Sequence, residues 1–289
     1  MLSADTKKQL LDYQRNEITE HHIYHRLARI EKSPENRRIL ERIAEDEKRH
    51  YEQWKSYTGE EAPVNWTKVR MFYWIARVFG LTFGTKLMER GEVEAQQAYA
   101  DLPAEIDEVN AIAKEENEHE NALLGILDEE RLRYIGSVVL GLNDALVELT
   151  GALAGFTLAI QNTRLIALTG SITGIAAALS MAASEYLSTK AEATAQHPLK
   201  AAFYTGTTYV MTVILLIAPY LVLNNYYVSL ACTLSTAILI IALFNFYISV
   251  AMDQPFKKRF AEMAALSLGV ASLSFLLGFA LRVLLGVEV

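Results

Sequence analysis

The chain has 289 residues, is 52% apolar and carries a formal charge of −7. Residues 1–133 hold 20 of the 27 Lys and Arg and 27 of the 34 Asp and Glu, a net of −7, whereas residues 134–289 hold seven of each and net to zero. A charge-rich acidic part followed by an apolar one is the pattern of a soluble module joined to a membrane module, and it excludes an ordinary cytosolic enzyme, a basic nucleic-acid binder and a disulfide-framed secreted domain. The lone Cys232 sits in an apolar run and can make no internal bridge. The opening residues, MLSADTKKQLLDYQRNE, lack the apolar core of a signal peptide, so the acidic part is expected on the cytoplasmic side.

Residues 4–31, 34–57, about 66–101 and 104–131 are predicted as four helices, broken at Ser33-Pro34, at Thr58–Pro63 and at Asp101-Leu102-Pro103. Ser33-Pro34-Glu35 supplies an N-cap and a first-turn proline for the second helix. Short turns between four helices argue an antiparallel bundle over residues 1–131.

An internal echo runs through this part. Glu17 and Tyr24 in the first helix are seven residues apart, as are Glu92 and Tyr99 in the third. The second helix carries Glu47-x-x-His50 and the fourth Glu116-x-x-His119. Both members of the Glu…Tyr pair recur after 75 residues and the Glu-x-x-His unit after 69, as in a duplicated helical hairpin with a shorter joint in its second copy. At i, i+3 a carboxylate and an imidazole project from one helix face. Two such pairs and one Glu from each remaining helix give four carboxylates and two imidazoles, the ligand set of a carboxylate-bridged di-iron or di-manganese centre. The candidate ligands are Glu17, Glu47, His50, Glu92, Glu116 and His119, with Glu89 as an extra one on the face of Glu92. One such motif alone would read as a solvated charge run; the matched pair does not. His21 and His25 are expected at the surface or behind the ligands, and Glu115, Glu118 and Glu120 in solvent.

Residues 66–84, WTKVRMFYWIARVFGLTFG, are aromatic and apolar with Lys68, Arg70 and Arg77. Such a stretch suits a helix lying in a membrane interface or a packing face for a second bundle, and both remain open.

Five apolar stretches follow, at about 134–160, 165–187, 201–223, 226–250 and 262–287, each at least the ~20 residues that span ~30 Å of hydrocarbon. With the N-terminus inside, the cytoplasmic joints hold Arg131, Arg133, Lys190, Lys200, Lys257, Lys258 and Arg259, against Arg164 and Arg282 outside. This positive-inside bias places the C-terminus on the far side of the membrane. Asp144 and Glu148, four apart, share a face of the first span, and Met181 and Glu185 have the same spacing in the second. A carboxylate in the membrane costs ~2.5–3.5 kcal/mol or more, so it faces a cavity or a partner. Two carboxylates and a thioether offer hard and soft donors to a borderline cation such as Fe(II). Gly151-xxx-Gly155 and Gly170-xxx-Gly174 predict close packing of the first two spans or of two chains.

Both parts resemble known families. Residues 1–131, through Glu17…Tyr24, E47-K-R-H50, Glu92…Tyr99 and E116-N-E-H119, resemble the erythrin or rubrerythrin-like branch of the ferritin-like superfamily. That resemblance implies iron ligation by the six residues above, without the CxxC iron site of full rubrerythrins. Residues 132–289, through V139-L-G-L-N-D-A-L-V147 and A178-L-S-M-A-A-S-E-Y186, resemble the vacuolar iron transporter family, with Ala145 and Ser184 where glycine is usual. The arrangement as a whole is similar to prokaryotic membrane-bound ferritins. It implies an all-α chain, a ferritin-like four-helix bundle followed by a five-helix transmembrane domain. The implied protein is a homodimer in the lipid bilayer that moves Fe(II) or Mn(II) out of the cytosol in exchange for protons. Asp144, Met181 and Glu185, with Glu148, would line the path. The rival is an enzyme, a membrane-tethered di-iron ferroxidase or peroxidase whose helices are only an anchor.

Overall fold

The computed structural model describes residues 4–96, 109–124, 133–192 and 196–285, and all regular structure among them is helical. The chain divides into two compact units, Met1–Glu129 and Glu130–Val289.

In the first unit, α1 (Ala4–Ile30) and α2 (Pro34–Thr58) form a hairpin. The Ser33 hydroxyl oxygen accepts the Asn36 N–H at 3.4 Å, and Pro34 fills a first-turn position whose N–H would have no helical partner. Leu10, Ile23, Leu27, Leu40, Ile43 and Trp54 are completely enclosed, or nearly so. The single helix expected over 66–101 is two: α3 (Trp66–Phe79) and α4 (Leu81–Gln96) meet at Gly80, with φ 104° and ψ 154°. Only glycine takes that conformation without strain, so the chain bends there. Helix α5 (Val109–Leu124) packs on α2 and α4. Residues 97–101, 104–108 and 125–131, expected to be helical, lie outside the described residues.

The bend brings α4 onto α3 so closely that a Cβ on Gly84 would stand 2.7 Å from the Ala76 Cβ and 2.9 Å from its Cα. Gly84→Ala is expected to cost about 1–3 kcal/mol through this overlap. The measurement is the thermal midpoint of tryptophan emission, because Trp54, Trp66 and Trp74, the chain's three tryptophans, all belong to this unit. An unchanged midpoint would mean that the elbow has room to spare.

The second unit holds α6 (Ile135–Ile160), α7 (Thr163–Ala191), α8 (Pro198–Val222), α9 (Tyr226–Met252) and α10 (Phe256–Leu285), each long and apolar enough to cross a membrane. The last starts at Phe256 rather than 262: Lys257, Lys258 and Arg259 break the apolar run but not the helix. Helix α6 contains one wide π turn, Ala145–Leu149. Ser267 of α10 donates to the Leu146 carbonyl at 2.7 Å, giving that widened turn a partner from a neighbouring helix. Gly170 and Gly174 do face the first span, beside Leu153 and Leu149, and also Val213 of α8. Gly151 and Gly155 do not face α7: a Cβ on Gly151 would stand 2.9 Å from Val270 Cγ1 of α10, and Gly155 meets Ser274 and Gly278 of the same helix.

Candidate metal sites

In the first unit, α1, α2 and α5 bring Glu17, Glu47, His50, Glu116 and His119 together, all at most 7% exposed. One ligand atom from each of Glu17, Glu47, His50 and Glu116 lies within 4.8 Å of the others. The two imidazoles have centroids 5.9 Å apart and planes inclined by 29°. His50 Nδ1 is 3.1 Å from Glu116 Oε1, 3.7 Å from Glu47 Oε2 and 3.8 Å from Glu17 Oε2. His119 Nδ1 is 3.2 Å from Glu47 Oε1 and 3.8 Å from Glu116 Oε2. Glu47 and Glu116 thus each turn one oxygen to each imidazole, while Glu17 stands on the His50 side. The Nδ1 atoms of both histidines and Glu47 Oε2 are buried and make ion-pair contacts but no well-aligned hydrogen bond. The side chains of Glu92 and Glu89 lie outside the described residues.

The residues just before each motif fix the rings. His50 Nε2 donates to Glu115 at 2.8 Å, and His119 Nε2 donates to Asp46 at 3.1 Å, so each histidine is held by the carboxylate preceding the other helix's motif. A carboxylate here accepts, which puts a proton on each Nε2 and turns each Nδ1 toward the cluster. Arg49 joins the two carboxylates, 2.6 Å from Asp46 Oδ1 and 2.6 Å from Glu115 Oε2. Glu115, expected in solvent, keeps its side chain 39% exposed but is also paired, because the turn of α5 that buries Glu116 carries its neighbour onto His50. Trp54 Nε1 donates to Glu17 Oε1 at 3.0 Å. Outside the cluster, Lys68 holds Glu20 at 2.9 Å and His21 donates Nδ1–H to the Ala44 carbonyl at 2.6 Å.

Burial and charge pull these groups apart in proton affinity. Burial alone would lower both histidines, but Glu116, Glu17 and Glu47 hold His50 far above its ordinary value, and Glu116 and Glu47 raise His119 to about 10. Burial would raise Glu116, yet the two imidazoles draw it down to about 2. Glu47 is driven well up by burial and by the Glu116 charge. The cluster thus carries cationic imidazoles against buried carboxylates when only protons are present.

In the second unit the donors run along α6 and α7. Glu185 accepts from Ser137 at 2.5 Å, and a Cβ on Gly174 would lie 3.5 Å from Leu149. These two anchors set an antiparallel register that puts Met181 level with Gly141 and Leu142, one turn below Asp144. Met181 is half-buried against the apolar core of the second unit. Asp144 is half-buried and Glu148 exposed on the single chain, on either side of the π turn's start. Tyr209 of α8, fully buried, donates to Glu148 Oε2 at 3.5 Å. Asn143 Oδ1 and Thr150 Oγ1 are buried on the same helix without hydrogen-bond partners. Sequence reasoning missed Tyr209 and Asn143; the only signal was Asn143 standing beside Asp144. All of these α6 and α7 residues fall in one segment. Residues 135–197 match the VIT family. The VIT segment covers α6, α7 and the joint after them, and it supports membrane metal transport of iron or manganese. It does not reach residues 1–129. No curated protein matches the chain.

Proposed function

We propose that the protein exports Fe(II), or Mn(II), from the cytosol across a membrane in exchange for protons, and that its first unit is a ferritin-like module that captures the metal. The observation that carries this reading is the pair Asp144 and Glu148, deep in a span of the VIT segment, with Glu148 exposed on the single chain. A carboxylate facing lipid costs ~2.5–3.5 kcal/mol, so that face is covered by a second copy or by a water-lined path, which a homodimer supplies. Glu185 and Met181 on α7, and Asp144 and Glu148 on α6, each four residues apart and so about 6 Å along their helix, then form a ladder. Glu185 at its cytoplasmic end receives the ion, and the carboxylates release it as they take up protons from the far side.

In the first unit, Glu17, Glu47, His50, Glu116 and His119 fit a pair of divalent ions. Those five residues would hold the metal, with Glu92 as the sixth ligand that the sequence repeat offers. Bound iron there would supply a redox-active Lewis acid. The chain's own part is to hold neutral Nδ1 lone pairs inward, through Glu115 and Asp46, and to keep the cluster buried. Arg49→Gln is expected to weaken metal binding by about 10–100-fold, because it loosens both carboxylates that orient the histidines. A metal titration of the full-length protein checks this, and an unchanged affinity would remove Arg49 from the support of the site.

The experiment that tests the function is Fe(II) and Mn(II) flux into liposomes carrying the full-length protein, with and without a pH gradient. Gradient-dependent flux is the expected result. No flux from folded protein that still binds metal would favour the tethered ferroxidase or peroxidase instead.

A further inference from the structure

Helix α3 has a surface that neither metal site uses. Among the described residues of the first unit, all five exposed large hydrophobic side chains belong to it: Trp66, Met71, Trp74, Val78 and Phe79, with Trp74 61% exposed. Its opposite face is already satisfied, because Val69, Phe72 and Ala76 are buried in one cluster with Ile23, Tyr24 and Leu27 of α1. A helix held by one apolar face does not need a second in water, and a concentrated exposed patch marks a contact with something else. The charged residues of α3 are Lys68, Arg70 and Arg77, with no acid from 66 to 79, although residues 1–133 as a whole net to −7. Arg70 and Arg77 are exposed beside the apolar patch.

We propose that α3 lies flat on an anionic lipid bilayer, with Met71, Trp74 and Val78 in the boundary between headgroups and chains and Arg70 and Arg77 on the lipid phosphates. Aromatic and apolar side chains backed by arginine are the composition of a helix in that plane. An anionic surface repels the rest of this acidic unit and attracts this one face. The bilayer is also always near. Only the ten residues 125–134 separate Leu124 from Ile135, where the first span begins, which at full extension reach about 40 Å. A second copy is the poorer occupant: a two-fold contact through α3 would set the basic patch of one copy, Arg70 and Arg77, against the same patch of the other.

Tryptophan emission provides a direct test, since residues 134–289 contain no tryptophan and the crossing helices are silent. Full-length protein is placed in vesicles of phosphatidylcholine and phosphatidylglycerol, with or without bromine on the upper acyl chain. The Trp74 signal is the difference between native protein and Trp74→Phe. That signal is expected to be quenched by the brominated lipid, and to recover when Arg70→Glu and Arg77→Glu are combined. Emission from buried Trp54 reports that the unit stays folded. A Trp74 signal untouched by brominated lipid would overturn the proposal. So would quenching indifferent to the charge reversal, or a disulfide between two copies carrying Trp74→Cys. None of these outcomes depends on metal flux, so the exporter reading stands or falls separately.

Discussion

Asp144→Ala is expected to stop metal flux into liposomes while the first unit binds metal as before. Asp144 is nine residues beyond Ile135, so it sits about 14 Å along α6, close to the middle of a ~30 Å hydrocarbon layer. A divalent ion at that depth has lost its water and depends on the charges beside it. At an effective dielectric of about 20, one unit charge 4 Å away is worth about 4 kcal/mol, and twice that for a divalent ion. Losing even the smaller figure slows passage by about three orders of magnitude, which is indistinguishable from empty vesicles. Glu148→Ala is expected to be nearly as severe, since that carboxyl shares the face. Glu185→Ala removes a group at the end of the path, held by Ser137 and close to water, so its loss is expected to be smaller. If Asp144→Ala kept half the native flux in folded, correctly inserted protein, the path would have to run elsewhere.

The parts of this molecule legible in the sequence are those governed by a short period. Five apolar runs of about 25 residues can only be satisfied as helices in a bilayer, and polar joints mark the ends of all but the last, whose helix starts at Phe256, ahead of Lys257, Lys258 and Arg259. Glu47-x-x-His50 and Glu116-x-x-His119 stand on one helix face by spacing alone, and the structure brings both pairs together with Glu17. What escaped detection depends on a neighbouring helix. Nothing in the local pattern distinguishes Glu115 from Glu118, both flanking Glu116; the first meets His50 only because α5 is rotated so against α2. Gly80 sits in an aromatic helical run where a glycine is tolerable, and its positive φ comes from α4 packing back over α3 at Gly84. The π turn at Ala145–Leu149 has no marker of its own, since its carbonyl partner, Ser267, is 121 residues away from Leu146. Likewise, a glycine spacing shows that something comes close but not what: for Gly151 it was α10.

The same cluster makes the first unit's stability depend on pH in opposite ways with and without metal. His50→Ala in metal-free protein leaves Glu17 and Glu116 buried without the imidazole nearest to them, and breaking such a buried pairing is expected to cost about 3–5 kcal/mol near neutral pH. In the native chain, His119 is raised from 6.5 to about 10, so its stabilising effect is complete below pH 6.5 and is lost as the pH climbs through about 10. Glu47, a carboxyl raised by burial and by the Glu116 charge, is stabilising as the acid below its ordinary 4.5 and gives up that contribution as the pH rises above it. Glu116, lowered from 4.5 to about 2, acts at the other end: its contribution is complete above pH 4.5 and vanishes as the pH falls through about 2. Metal-free protein is therefore expected to be firmest near pH 4.5 and to weaken steadily toward pH 10. Metal ions need the neutral imidazoles and the ionised carboxylates, so they displace those protons and bind more tightly as the pH rises. Thermal midpoints from tryptophan emission should diverge above pH 6.5, falling for metal-free protein and holding for protein loaded with Mn(II). A metal-free curve that stayed flat to pH 10, or a loaded curve that fell in parallel with it, would mean that these imidazoles do not face these carboxylates. The assignment of Glu17, Glu47, His50, Glu116 and His119 as metal ligands would then fail.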